Sequence, residues 1–229
     1  MVSSIIAAHI REARLFSGLS DTEIHTLART ASWHNVKRHR TLFRRGEMAE
    51  AAFLLASGAV RLSCGETKGR EKVVSFVQSS GTFGETTLCP EQRYPYSATT
   101  QDDCILFVFE GPVLRQWLSR HPALYSNLLA KTFADLHEIV DHLESLYTLN
   151  ADQRIADYLL QRWNERDVDE DEVHCPSRWA LASFLNLSAE TLCRTLGKFR
   201  RQGWITTQGN CISLREPKML ERVIAGRLN

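Results

Sequence analysis

Between residues 33 and 110 the chain is written as short apolar runs cut by glycine, and this limits its fold more than any other feature. Val36, Leu42-Phe43, Phe53-Leu54-Leu55, Val60-Arg61-Leu62, Val73-Val74-Ser75-Phe76-Val77 and Cys104-Ile105-Leu106-Phe107-Val108-Phe109 have the length and content of strands. Gly46, Gly58, Gly65, Gly69, Gly81 and Gly84 punctuate them. Regular short strands with turn signals mean a sandwich or barrel-like domain.

Helical text lies on both sides. Residues 1–32 carry Ile10, Leu15, Leu19, Ile24 and Leu27, with Ser20 followed three residues later by Glu23, the signature of a helix start. Gly111-Pro112 opens another helix that runs to about Arg120-His121, and Pro122 starts a longer one, because proline suits the first helical position. In the longer helix Leu129, Leu136 and Leu143 recur every seven residues, as do Thr132, Ile139 and Leu146. Together they make an a/d seam suited to pairing with a second copy. A third series, Phe133, Val140 and Tyr147, widens the apolar face and is expected to cover the helix's own β-domain.

The chain has 229 residues and a net charge of only +1, so it is no simple polybasic binder. The asymmetry is local. Asn164 to Glu172 holds Glu165, Asp167, Asp169, Glu170, Asp171 and Glu172 against Arg166 alone. From 177 to 216 the bases Arg178, Arg194, Lys198, Arg200, Arg201 and Arg215 face only Glu190 and Glu216, the footprint of a phosphate-binding surface. The uninterrupted apolar stretches fall far short of the roughly 18–20 residues a membrane span needs. The N-terminal residues have neither a basic start nor a long apolar core, so a cytoplasmic protein is expected. The six cysteines form no CxxC or CxxH pair, which leaves reduced, buried thiols as the expectation and no metal assigned. No nucleophile–base pair, metal cage or glycine-rich phosphate loop is visible, so an enzyme is not expected.

Within 150–229, Asp152–Trp163 is amphipathic through Ile155, Leu159 and Leu160. Arg178–Phe184 has helical apolar spacing, Asn186-Leu187-Ser188 interrupts it, and Ser188 caps a second helix from Ala189 to about Arg201 that stops at Gln202-Gly203. Trp204–Thr207, a Gln208-Gly209-Asn210 turn and Cys211–Leu214 complete a hairpin. Helix, turn, helix, hairpin is a winged helix-turn-helix. Glu190 and Arg194, four apart, project from one face. A major-groove reader uses that pair, because arginine donates twice to guanine and a carboxylate accepts from cytosine N4. Arg178, Ser188, Thr191, Cys193, Lys198, Arg200 and Arg201 are the expected phosphate or neighbouring contacts. A surface ion pair is the alternative fate of Glu190 and Arg194.

Arg178 through Ile205, centred on Glu190-Thr191-Leu192-Cys193-Arg194, resembles the recognition motif of the Crp/Fnr family of bacterial transcription regulators. Leu42–Glu47, Phe53–Leu62 and Phe83-Gly84-Glu85 resemble that family's cyclic-nucleotide-binding-type β-roll. The resemblance implies an α+β chain in three parts: a β-roll sensor domain, jelly-roll-like, at 1–111; a short helix and a long dimerisation helix at 112–149; and a winged helix-turn-helix domain at 150–229. It implies a homodimer on a near-palindrome of double-stranded DNA, one recognition helix per half-site. Ala189 stands where cyclic-AMP receptors carry an arginine, so the motif looks more like the Fnr, Dnr and FixK side, which reads TTGA(T/C) half-sites. Cys193 replaces that side's serine. It is either a thiol switch facing DNA or a small residue filling the helix-turn-helix interface.

The resemblance also bears on the effector, expected where β-roll meets long helix at Phe83, Gly84, Glu85, Tyr96, Ser97, Phe133, Leu136, Ile139 and Val140. Cyclic AMP is disfavoured. Tyr96-Ser97 stands for the family's Arg-Ser step, and Ile139-Val140 for the Thr-Ser pair at the adenine. No iron–sulfur cluster is expected, since no cysteine precedes Cys64. Haem-borne gas sensing is favoured, as Dnr-like members imply, although His9, His34, His39, His121, His137 and His142 show no ligand spacing. Thiol redox chemistry or another small molecule remains open. Family activators touch RNA polymerase near the acidic loop, here Glu165, Asp167, Asp169, Glu170 and Asp171. The competing class is a regulatory β-roll subunit of an enzyme or channel, with the winged helix as a protein-interaction module.

Overall fold

The computed structural model describes residues 2–67, 70–166 and 171–226, and the chain separates into two compact units, Met1–His137 and Glu138–Asn229. The first begins with α1 (Val2–Glu12), a 3-10 turn (Arg14–Phe16) and α2 (Asp21–Ala28). The expected start of α2 is present. Ser20 Oγ accepts the Glu23 N–H, while the Ser20 N–H donates to Glu23 Oε2 at 2.7 Å. Such a box satisfies two of the helix's free donors.

Eight strands follow: β1 (Ser32–Val36), β2 (Thr41–Phe43), β3 (Ala51–Ser57), β4 (Val60–Thr67), β5 (Arg70–Val77), β6 (Thr82–Phe83), β7 (Ser97–Thr100) and β8 (Cys104–Glu110). They form two antiparallel four-stranded sheets, ordered β1-β8-β3-β6 and β2-β7-β4-β5. The apolar runs of β3 and β8 do not alternate with polar residues because both faces are covered. On one face Leu54, Phe107 and Phe109 pack with Ile6, Ile10, Leu27, Leu114, Leu118 and Leu124 from the helices. On the other, Leu55, Leu106 and Phe83 meet Phe43, Val60, Leu62 and Ala98 of the second sheet. This is the expected β-roll.

Two helices continue the chain, α3 (Gly111–Arg120) and α4 (Pro122–Thr148), starting where the glycine-proline and proline signals put them. The division between the units falls inside α4, at His137/Glu138, so the long helix belongs partly to each. Leu124 is its one buried residue. Leu129, Leu136, Ile139 and Leu143 of the seam are exposed, Leu146 is half-buried, and the Thr132 hydroxyl donates back to Leu128 O. The third series departs from expectation: Phe133, Val140 and Tyr147, expected to cover the β-domain, are 58%, 51% and 87% exposed. Leu124 and the half-buried Leu128 reach the helix-packed core instead, because they lie nearer the anchored end of the helix.

The second unit holds α5 (Ala151–Glu165), β9 (Val173–His174), α6 (Arg178–Phe184), α7 (Ala189–Arg201), β10 (Ile205–Gln208), β11 (Cys211–Leu214) and α8 (Pro217–Ile224). Its core joins Ile155, Leu159, Leu181, Leu192, Leu196, Phe199, Ile212 and Leu220, all nearly inaccessible. The hairpin carries a third strand absent from the sequence reading, since β9 pairs with β11 through Val173↔Ile212 and His174↔Cys211. Two residues are too few to show strand periodicity. α8 was likewise not anticipated; Leu220 and Val223 are its buried positions. Among the described residues no helix is long and apolar enough to cross a membrane.

Candidate nucleic-acid interface

The turn between α6 and α7 is set by three local features. Ser177 Oγ accepts the Ala180 N–H at 3.4 Å, capping α6. Asn186 adopts φ +55°, a left-handed conformation that asparagine tolerates and that ends the helix. Ser188 then caps α7, its Oγ accepting the Thr191 N–H at 3.0 Å and lying 2.9 Å from Thr191 Oγ1. Arg154 of α5 donates to Leu185 O at 2.8 Å and ties the turn to the body of the unit. At its other end α7 stops at Gly203, φ +76°, where the Trp204 N–H returns to Phe199 O at 3.0 Å.

On α7 the apolar side buries Leu192, Leu196 and Phe199 together with Thr195. This leaves Glu190, Cys193, Arg194 and Arg201 along one exposed stripe, with Arg200 exposed beside it. Glu190 and Arg194 form no ion pair with each other, so both ends remain available to an external partner. Gly197 lies on the same stripe, and a Cβ there would approach only Arg201 Nη1, at 3.9 Å. The exposure of Cys193 removes the reading in which it fills the helix interface. Three residues after Glu190 and next to Arg194, Cys193 shares their exposed side of the helix.

Other expected contacts are placed differently. Lys198 Nζ donates to Asp152 Oδ2 at 3.0 Å, and the Thr195 hydroxyl donates to Asp152 Oδ1 at 2.6 Å. The lysine read as a phosphate contact is thus held by a carboxylate of its own unit. Burial works to raise the Asp152 carboxyl, but the hydrogen bonds from Thr195 and Lys198, with the charges of Lys198 and Arg194, hold it below its usual range. Arg178 is half-buried and donates to Gly209 O at 3.3 Å, linking α6 to the tip of the hairpin. In the acidic loop, Asp167, Asp169 and Glu170 lie outside the described residues. Glu165 accepts from Arg162 at 3.0 Å, and Asp171 is exposed.

Of the six thiols only Cys104 and Cys175 are buried; Cys89 and Cys193 are exposed, against the expectation of uniformly buried cysteines. Burial pushes Cys175 up to about 12. Among the described residues no group of three His, Cys, Asp or Glu could hold a metal ion.

Residues 33–121 match the cyclic nucleotide-binding domain, and residues 153–223 match the Crp-like helix-turn-helix domain. The chain is 30% identical to the nitrogen fixation regulation protein FixK of Azorhizobium caulinodans, over 81% of this chain and 76% of that protein. It belongs to the Crp/Fnr family. A CRP-like cAMP-activated global transcriptional regulator of Mycobacterium tuberculosis is 24% identical over 93% of this chain and 97% of its own length. Among solved structures, FixK2 from Bradyrhizobium japonicum shares the fold with a TM-score of 0.76 at 23% identity, covering 84% of this chain and 96% of that one. The Crp/Fnr architecture read from the motifs is therefore established, and the similarity to FixK is consistent with the Fnr/FixK side.

In this Crp/Fnr chain Gly84 borders a cluster of aromatic side chains inside the β-roll. Gly84 sits at φ +79°, with a Cβ position only 3.1 Å from Ala51 O and from the Phe53 ring, so a side chain there would be strained and its neighbours would have to give way. Its N–H donates to the Tyr96 hydroxyl at 3.3 Å. Phe53 stacks on Phe83 at 5.0 Å and Phe43 on Tyr94 at 3.7 Å, with Tyr96 5.9 Å from Phe43. Burial, then the nearby Glu85 charge, raises the Tyr96 phenol, which stays protonated. Glu85 itself lies 3.3 Å from Lys131 of α4, which also reaches Asp135 at 2.6 Å. Ser97 Oγ accepts the Arg45 N–H at 3.0 Å. Phe133, Leu136, Ile139 and Val140, expected to line the pocket, are all exposed.

Among the described residues no histidine ring contact joins the aromatic cluster beside Gly84. His9 lies against Phe107, His121 against Trp117 and 3.2 Å from Glu23, and His142 against Phe184. His34 meets Ser32, His39 meets Arg38, and His137 is exposed. Cys104, buried beside the aromatic cluster, hydrogen-bonds Ala59 O and Asp102 O, and burial raises its thiol. An axial ligand needs a free imidazole or a thiolate.

Proposed function

We propose that this Crp/Fnr-family transcription regulator acts as a homodimer on near-palindromic promoter DNA of the TTGA(T/C) type. Each protomer lays α7 in a major groove, where Arg194 donates to guanine O6 and N7 and Glu190 accepts from cytosine N4. The observation that carries this reading is the exposed stripe of α7, on which Glu190 and Arg194 are unpaired with each other and flanked by Arg200 and Arg201. Those two arginines and the capped N-terminus at Ser188 suit phosphates. The exposed seam of α4 is the surface for the second copy. Glu165 and Asp171 are candidate RNA polymerase contacts, which makes activation the favoured outcome in a cytoplasmic setting. Control enters where α4 meets the β-roll, through haem-borne gas sensing, thiol chemistry or another small molecule rather than cyclic AMP, because Tyr96 and Lys131 already engage Gly84 and Glu85. We read no enzymatic role.

The test is a salt-titrated binding assay on a TTGAT–ATCAA duplex beside a scrambled duplex. Tight binding to the first, weakening steeply as salt rises, supports the proposal. Equal affinity for both duplexes, or binding indifferent to salt, counts against it.

A further inference from the structure

Asp152 has no place in the contact scheme above, yet it makes the shortest link between α5 and the recognition helix. It lies in the first turn of α5, where helix N-terminal dipoles favour an anion. The helix is fixed there by a capping box, Asn150 Oδ1 accepting the Gln153 N–H at 3.1 Å and the Asn150 N–H donating to Gln153 Oε1 at 2.9 Å. From this anchored position the two Asp152 oxygens divide between two partners on α7, Thr195 at 2.6 Å and Lys198 at 3.0 Å. Thr195 is buried and Lys198 half-exposed, so one oxygen faces the core and the other faces the edge of the DNA-facing surface.

Two consequences follow from geometry and charge. Residues 195 and 198 are three apart and so share one side of α7. Holding both fixes the rotation of the helix about its own axis, which decides where Glu190 and Arg194 point. The carboxylate also neutralises Lys198 at close range. A lysine paired in this way releases no counterion when DNA binds, whereas a free one adds to affinity for any sequence.

We infer that Asp152 is a positioning residue: it orients the recognition helix through Thr195 and limits sequence-independent affinity by keeping Lys198 off the phosphate backbone. This rests on the DNA-binding reading of α7. Electrostatic affinity is blind to sequence, so withholding one cation per protomer lowers affinity for every duplex alike and leaves discrimination to the oriented Glu190 and Arg194.

The experiment measures binding of the full-length protein to the TTGAT–ATCAA duplex and to a scrambled duplex across a salt series. The proteins are wild type, Asp152→Asn, Lys198→Met and the double variant. Asparagine still accepts from Thr195 but no longer holds the ammonium. Asp152→Asn should steepen the slope of log K against log salt by about 0.9 per protomer on both duplexes. It should also tighten binding to both duplexes several-fold. Lys198→Met alone should leave the slope unchanged, and in the Asp152→Asn background it should abolish the steepening. Near-equal slopes for wild type and Asp152→Asn, or a shallower slope for Lys198→Met alone, would overturn the inference. Wild-type preference for the palindrome is read in the same assay, so loss of the DNA-binding reading itself would show separately.

Discussion

Lys131 Nζ of α4 and Glu85 Oε1, beside the left-handed Gly84, stand 3.3 Å apart and tie the long helix to the β-roll. Both side chains are mostly shielded, at 26% and 13% exposure. Removing one partner strands the other, a costlier event than removing both. Lys131→Met should lower unfolding free energy by about 1–2 kcal/mol, discounted from the fully buried case for its residual exposure. Adding Glu85→Gln should restore most of that, as read from urea midpoints. Burial lowers the Lys131 ammonium, but the Glu85 charge and the Asp135 hydrogen bond raise it overall. A raised folded value means the contribution is complete below the usual 10.5 and fades as pH climbs through the folded value above it. The wild-type advantage over Lys131→Met should therefore persist at neutral pH and shrink in strongly alkaline buffer.

Arg194→Ala should relax preference at one base pair of each half-site, by about 1–3 kcal/mol per contact. Arg194→Lys should recover phosphate-like affinity but not the preference, because an ammonium cannot donate in a fork. Competition binding against single-base variants of the palindrome reads this directly. Uniform loss across all variants would sink the base-reading role.

Ser188→Ala should cost about 1 kcal/mol of stability through loss of the α7 cap. Ser188→Asp should retain the cap, since aspartate accepts the same N–H. If DNA affinity falls with alanine and also with aspartate, the serine touches phosphate as well; thermal unfolding and binding, measured together, separate the two effects.

Leu136→Glu or Ile139→Glu should convert the protein to monomers in sedimentation equilibrium without lowering the stability of either unit. Both positions are about half-exposed in the protomer, so the charge meets water there and is buried only at a paired seam. Palindrome binding should fall together with dimer content.

The β3 and β8 strands were legible because their unbroken apolar runs admit only a layer covered on both faces. Cap chemistry at Ser20 and Ser188 and the proline at 122 located helix starts to the residue. What escaped was either short or mutual. β9 has two residues and no period. The Asp152–Lys198 pair joins positions distant in sequence, and nothing in Lys198's neighbours distinguishes a lysine bound for phosphate from one bound for a carboxylate. The mistaken expectation for Phe133, Val140 and Tyr147 has a similar origin, because an apolar face announces that it will be covered but not by what.

Cys193 and Cys89 should react first with a maleimide, Cys104 and Cys175 last, since the first two thiols are exposed and the last two buried. Saturating palindrome DNA should protect Cys193 and leave Cys89 unchanged. Mass spectrometry of tryptic peptides resolves the sites, and equal labelling of Cys193 with and without DNA would place it away from the duplex.

The long helix fully buries only Leu124 within its own protomer and leaves a ladder of leucine, isoleucine and aromatic side chains about half or more exposed to water. A newly made copy that finds no mate would display that ladder to chaperones and proteases, which act on exposed apolar surface. Cellular abundance would then follow assembly: solitary copies would be cleared, and the amount of regulator would depend on synthesis rate more steeply than in simple proportion.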